Sequence, residues 1–256
     1  MSFLLAIDAG NTQITIGAFR DTTLTHTWRL QTHPLRTTDE LGTQLLDLLH
    51  YAALDMNEIT GIAIASVVPA LDAPLTQACS TYLHQVPLMV GPDTKLGIAN
   101  LYKNPQEVGA DRLVNAVAVQ ALLGGPAIVV DFGTATTFDC VSKKGEYLGG
   151  VIAPGLELAQ EALAAHAAKL PRVPFEVPQR VMGKTTKESL QSGLFFGYIA
   201  LVEGMLQRLM KEMRGRPKVI ATGGLSTVIG PRIKPVARIL PALTLDGLRI
   251  IWERNH

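Results

Sequence analysis

The stretch Ala127-Ile-Val-Val-Asp131-Phe-Gly133-Thr134-Ala-Thr-Thr-Phe-Asp139 decides how the chain is read. Four apolar, mostly β-branched residues run into Asp131, Gly133 supplies a tight turn, and hydroxyl residues then alternate with apolar ones. That pattern is strand, turn and second strand, with a carboxylate held at the corner of a hairpin. The N-terminus repeats it: Leu4 to Ile7, then Asp8-Ala9-Gly10-Asn11-Thr12, then Ile14 to Phe19. Position 131 follows position 8 by 123 residues, close to half of the 256, so the chain reads as one unit written twice.

Working outward, the order of elements supports duplication. Phe3 to Asp8, Gln13 to Arg20 and Leu24 to Leu30 read as an antiparallel meander, followed by a helix from Thr38 to Ala53 and a buried strand from Ile62 to Val68. A helix over Leu71 to Leu83 and a short strand over Pro87 to Val90 complete the first set. Gly91 to Val108 is polar and rich in Gly and Pro, a loop of a length usually tied to function. A helix from Asp111 to Leu123 ends at Gly124-Gly125-Pro126, which sets the expected domains at 1–124 and 125–256. The second half restarts with strands to Asp131, over Thr136 to Val141 and over Tyr147 to Ile152, then a helix from Gly155 to Lys169. A Pro-rich loop (Leu170 to Pro178), a long helix (Thr186 to Arg214), a strand (Lys218 to Ala221), a helix from Leu225, a strand (Arg238 to Leu240) and a closing helix (Leu243 to Arg254) follow.

Composition excludes several classes. The chain is 47% hydrophobic, enough for sizeable cores, and 23 basic residues stand against 22 acidic ones. Neither bulk charge nor a basic run points to nucleic acid or a membrane surface. Cys79 and Cys140 show no metal or disulfide spacing, and the apolar run ending at Asp8 lacks the basic flank of a signal peptide. No uninterrupted apolar stretch approaches the ~20 residues of a membrane span. The expectation is a soluble, cytoplasmic protein.

Two corners carrying Asp-x-Gly followed by Asn or Thr would bring two carboxylates and several backbone N–H groups to one cleft. Glycine lets backbone approach a phosphate, hydroxyls and amides donate to its oxygens, and carboxylates hold cations or waters that offset its charge. This is the chemistry of a nucleoside triphosphate site. Either aspartate alone reads equally well as a turn cap; the pair at equivalent positions does not. Gly183-Lys184-Thr185 is no P-loop, because Pro178 stands where its first Gly should be and no strand precedes it. The histidines at 26, 33, 50, 84, 166 and 256 never pair at metal-ligand spacing. Thr222-Gly223-Gly224 reads as an adenosine shelf or as a plain strand-to-helix turn. Gly109-Ala110-Asp111-Arg112 opens a helix; if it faces the cleft, Asp111 is a candidate base and Arg112 a candidate clamp for an acidic substrate.

Together, Asp8-x-Gly-Asn-Thr12, Gly109-Ala-Asp-Arg112, Asp131-x-Gly-Thr-Ala-Thr-Thr137, Gly149-Gly-Val-Ile-Ala-Pro-Gly155, Gly183-Lys-x-Thr186 with Gln191-Ser-Gly193, and Thr222-Gly-Gly224 resemble the type III pantothenate kinases. The resemblance runs over nearly the whole chain. It implies an α/β fold of duplicated ribonuclease-H-like (actin-like ATPase) domains, each a mixed five-stranded sheet with flanking helices. It further implies ATP-dependent phosphorylation of pantothenate to 4′-phosphopantothenate in coenzyme A synthesis, by a homodimer using Mg2+ and a monovalent cation, K+ or NH4+. By the same resemblance, Asp8, Ala9, Gly10, Asn11, Thr12, Gln13, Ile14 and Thr15 hold ATP, with Thr134 also touching it and Asp8 near magnesium. Asp111 is then the proton acceptor, Tyr102, Gly109, Ala110, Asp111, Arg112 and Thr186 bind pantothenate, and Asp131 ligates potassium. Two other readings remain: a regulatory or accessory protein on the same scaffold, and another ATP-driven member of the superfamily such as a kinase for a different small acid.

Overall fold

The computed structural model describes residues 2–167, 169–213 and 216–256. The chain divides into two compact units, one of Met1–Gly124, Gly145–Tyr147 and Ala242–His256, the other of Gly125–Lys144 and Leu148–Pro241.

The first unit is built on β1 (Phe3–Ala9), β2 (Gln13–Arg20), β3 (Thr23–Gln31), β4 (Ile59–Ser66) and β5 (Leu88–Met89), in the order β3-β2-β1-β4-β5. β1, β2 and β3 pair antiparallel, while β4 runs parallel to β1 and β5 parallel to β4. Alternation along β1 sends Phe3, Leu5, Ile7 and Ala9 to one face and Leu4 and Ala6 to the other. On the first face pack Leu41, Leu45 and Leu49 of α1 (Thr38–Tyr51) with Leu71 and Leu75 of α2 (Pro69–Tyr82). α1 starts on a capping box in which Thr37 and Glu40 satisfy each other's backbone N–H groups. The other face takes Val114 and Val117 of α3 (Ala110–Leu123) and Leu245, Leu248 and Ile251 of the closing helix. Cover on both faces is why β1 and β4 read as nearly continuous apolar runs.

The second unit repeats this plan with β6 (Ala127–Phe132), β7 (Ala135–Val141), β8 (Tyr147–Pro154), β9 (Lys218–Thr222) and β10 (Val236–Ile239), in the order β10-β9-β6-β7-β8. Counting β6 as the first strand, both sheets have the order 3-2-1-4-5. Ile128, Val130 and Phe132 face a core completed by Leu156 of α4 (Leu156–His166), Leu194 beyond α5 (Thr186–Ser192), and Val202, Leu206 and Leu209 of α6 (Tyr198–Glu212). A short α7 (Ser226–Ile229) joins β9 to β10.

Three expectations change. The closing helix, α8 (Leu243–Asn255), was assigned to the second domain but packs in the first unit, because its apolar stripe is buried against β1 and α3. Each such aliphatic side chain contributes about 1.5–3 kcal/mol by burial. The helix after Gly155 stops at His166, short of Lys169. The long helix is two α segments joined by a wider turn over Gly193–Gly197, and its expected end at residue 214 lies outside the described residues. This run, Thr186–Glu212, is long and apolar enough to cross a membrane by length and composition alone, with a third of its most apolar window buried in the protein.

Candidate active site

In the first unit the corner between β1 and β2 is pinned by backbone and hydroxyl donors. Gly10 N–H donates to the Gln13 carbonyl (3.0 Å), Thr32 N–H to the Thr12 carbonyl (2.9 Å), and the Thr32 hydroxyl to the Gly10 carbonyl (2.6 Å). Asn11, Thr12 and Gln13 are exposed at the tip. Asp8 is half-buried in register with Thr15 of β2 and Ala65 of β4. Strand alternation puts it on the Leu4–Ala6 face, the face that α3 covers.

The start of α3 lies at the same end of the sheet. Val67 N–H donates to the Ala9 carbonyl (3.1 Å), tying the end of β4 to the end of β1. Gly109 sits against Val67: a Cβ on Gly109 would lie 3.4 Å from Val67 Cγ1 and 2.6 Å from Asp111 Oδ1. Any side chain at position 109 would push on the Asp111 carboxylate. Asp111 Oδ1 accepts the Arg112 N–H at 2.8 Å. Burial raises the Asp111 carboxyl above the usual carboxylate range, opposed in part by the Arg112 N–H and by the Arg112 charge. A carboxylate so desolvated binds a proton more tightly than a surface one, which suits a group that accepts a proton from an alcohol.

Arg112 is 7% exposed, with its guanidinium over the ring of Tyr147 at 5.9 Å. Tyr147 is wholly buried, and its ring centroid lies 6.3 Å from that of Tyr102. Its backbone is stitched to the long loop, Tyr147 N–H donating to Ala99 (2.8 Å) and Leu101 N–H to Tyr147 (2.9 Å). Tyr147 therefore links the two expected substrate-binding side chains, Tyr102 and Arg112. Sequence reasoning missed it, taking it as the first residue of a strand; a lone aromatic at a strand start was the available signal.

In the second unit the Asp131 corner has its own chemistry. Asp131 is in register with Thr137 of β7 and Thr222 of β9, on the face opposite Ile128, Val130 and Phe132. Gly223, at φ +89°, lets an Asp131 carboxylate oxygen lie where a Cβ on residue 223 would collide with it. Thr222 is fully buried, and its hydroxyl has no hydrogen-bond partner among the described residues. Thr134, in the β6–β7 turn, accepts the Gly155 N–H at 3.1 Å, which fastens the start of α4 to this corner. Below, the Tyr198 hydroxyl meets Thr136 Oγ1 at 2.5 Å; burial pushes that phenol up to about 12, opposed by the Thr136 bond and reinforced by Asp131. Thr186 stands on another element, the first turn of α5, at the border of an apolar cavity of about 480 Å³ lined by Leu156, Ala159, Leu163, Leu190 and Leu201.

The first unit thus brings Asp8 to Thr15 and Gly109 to Arg112 to one sheet end, with Tyr102 joined to Arg112 through Tyr147. The second unit places Asp131 and Thr134 at one corner. Among the described residues no three His, Cys, Asp or Glu side chains group as a metal site.

Two sheets of 3-2-1-4-5 order with flanking helices define the fold of the actin-like ATPases and ROK sugar kinases. The structure is similar to a ROK family glucokinase from Streptomyces griseus in complex with glucose and AMPPNP, over 98% of this chain and 100% of that one (TM-score 0.57, 13% identity). At that identity the likeness concerns the fold alone. The sequence narrows it: the family model for type III pantothenate kinase matches residues 4–208. A type III pantothenate kinase of Moorella thermoacetica is 52% identical over 98% of this chain and 99% of its own, and one of Anaeromyxobacter sp. (strain Fw109-5) is 50% identical over 99% and 100%. The chain belongs to the type III pantothenate kinase family, and so to the phosphotransferases.

Proposed function

We propose that the protein transfers the γ-phosphoryl group of ATP in line to the 4′ hydroxyl of pantothenate, opening coenzyme A synthesis, with Asp111 as the proton acceptor. The observation that carries this reading is the placement of Asp111: a carboxylate at the start of α3 whose pKa burial raises, next to Gly109, which abuts Val67 at the sheet end that also carries Asp8. A carboxylate is a weak base against an alcohol, so it takes the proton late, as bond formation to phosphorus acidifies the oxygen. Most of the rate then comes from positioning and charge neutralisation.

In this reading the Asp8 to Thr15 segment holds the ATP phosphates through the exposed tip, and Asp8 holds magnesium. Magnesium, when bound, neutralises phosphate charge. One carboxylate with phosphate oxygens and water is a usual magnesium arrangement, and Asp8 would supply the carboxylate. Arg112, fixed on Tyr147, faces the pantothenate carboxylate, and Tyr102 and Gly109 to Asp111 line the acceptor site. On the second unit Thr134 contacts the nucleotide, Thr186 the acceptor, and Asp131 a monovalent cation. Exposed Ile152, Leu158, Leu163 and Leu201 on the second unit support a homodimer that covers them. The protein is taken to work in the cytoplasm, without nucleic acid or membrane.

The test is release of ADP dependent on pantothenate, with magnesium and potassium present. No release, where another pantothenate kinase is active under the same conditions, would sink the assignment. Sedimentation equilibrium tests the dimer, which a monomer at micromolar concentration would refute.

A further inference from the structure

We propose that the Thr222 hydroxyl is a second protein ligand, beside Asp131, for the monovalent cation. The proposal rests on the cation reading of Asp131 given above and gives the Thr222 hydroxyl a role beyond the adenosine-shelf or turn reading of Thr222-Gly223-Gly224.

Strand register supplies the first argument. β6 and β9 pair parallel with Asp131 opposite Thr222, and paired residues of neighbouring strands project to the same face. On β6 the core face carries Ile128, Val130 and Phe132, and on β9 it carries Val219 and Ala221. Asp131 and Thr222 thus stand side by side on the opposite face, at the C-terminal ends of adjacent strands.

The hydroxyl itself supplies the second. Thr222 is fully buried, and Oγ1 finds no hydrogen-bond partner among the described residues. A buried hydroxyl without a partner is costly, and native proteins keep few of them unless an ion or water fills the need. Here the candidate is a cation drawn by the adjacent carboxylate.

Local geometry supplies the third. The Asp131 carboxylate leans onto the backbone of Gly223, a place open only because residue 223 has no Cβ. The carboxylate is half-buried and the hydroxyl fully buried, at the ends of adjacent strands. An ion entering there must shed water and accept a hydroxyl oxygen and a single carboxylate. That favours a weakly hydrated monovalent ion such as potassium over magnesium, which dehydrates reluctantly. The equivalent position in the first unit, opposite Asp8, is Ala65, which offers no oxygen.

The test uses the whole protein and reads binding. Melting temperature is followed against potassium chloride, with choline chloride holding ionic strength, for the wild type, Asp131→Asn, Thr222→Val and Thr222→Ser. Thr222→Val keeps the shape and removes the hydroxyl; it is expected to raise the half-saturating potassium concentration about 10–100-fold. Thr222→Ser is expected to stay close to the wild type. A potassium response of Thr222→Val equal to the wild type, with that of Asp131→Asn lost, overturns the role of Thr222 and leaves the cation reading standing. No response in the wild type overturns both. Should Thr222→Val not fold, thallous ion soaked into wild-type crystals decides: anomalous density in contact with Thr222 Oγ1 and Asp131 supports the proposal, and density on Asp131 away from Oγ1 refutes it.

Discussion

The two halves set the same carboxylate in two different surroundings. Asp8 and Asp131 are each the penultimate residue of the first strand of a 3-2-1-4-5 sheet, each off the main core face. Their neighbours differ. Opposite Asp8 stands Ala65, followed by Ser66, whose hydroxyl accepts the Val68 N–H at 3.2 Å and so closes its own turn. Opposite Asp131 stands Thr222, followed by Gly223 at positive φ with the carboxylate lying over it. The first unit then adds a long loop and α3 with Asp111, whereas β10 of the second unit leads directly to α8. The two units share one strand order and differ at the strand ends, where the proposed roles of the two carboxylates part.

Removing the one group that the second half lacks should have the largest effect. Asp111→Asn is expected to lower kcat by about 10²–10⁴-fold, the range for a positioned general base, with ATP affinity nearly unchanged. Turnover at the wild-type level would end the base assignment.

Exchanging the corners' carboxylates should separate their cations. Asp131→Asn is expected to weaken the potassium response about 10–100-fold and spare the magnesium response, and Asp8→Asn to do the reverse. Steady-state titrations of each ion against each variant measure this. Identical ion responses in the two variants would erase the division of labour between the halves.

The residues after each strand sharpen the comparison in stability. Gly223→Ala forces a side chain at φ +89° into the Asp131 carboxylate and the Phe132 backbone, and should cost about 2–3 kcal/mol in urea unfolding. Ser66→Ala, which loses one local hydrogen bond, should cost about 1 kcal/mol or less. Equal losses would mean that the two strand ends are built alike after all.

The smallest effect is a pH dependence. Because burial raises the Asp111 carboxyl, the folded chain keeps a proton that the unfolded chain sheds between the ordinary carboxylate value and the raised one. This contribution is fully present below that window and is lost as pH rises through it. Asp111→Asn should abolish the fall, so that melting curves of the variant gain on the wild type toward neutral pH. The kcat/KM of the wild type should rise with ionisation of the same group, at a midpoint above that of a surface aspartate.

Much of this was legible in the sequence, for physical reasons. The corners could be read because a strand ending in Asp-x-Gly is a local pattern, and its repetition turned a weak signal into a scaffold. Strand-end positions such as Asp8 and Asp131 follow from alternation alone. Tyr147 could not be read, because it joins Tyr102 and Arg112 through a backbone pairing between distant segments of chain. The destination of α8 was hidden for a related reason: its apolar stripe predicts that it is buried but not against which sheet. The partnerless Thr222 hydroxyl is visible only as register, since the sequence shows a threonine before two glycines and nothing of the strand beside it.

The return of α8 to the first unit also sets an order of events during synthesis. The N-terminal half leaves the ribosome first, yet Leu4, Ala6, Val114 and Val117 wait for Leu245, Leu248 and Ile251 to cover them. The second unit is contiguous apart from the Gly145–Tyr147 segment and can close before the chain ends. A chain synthesised from its N-terminus would therefore complete the cover of its earliest strands only when α8 is made, a non-local contact of the kind that slows closure.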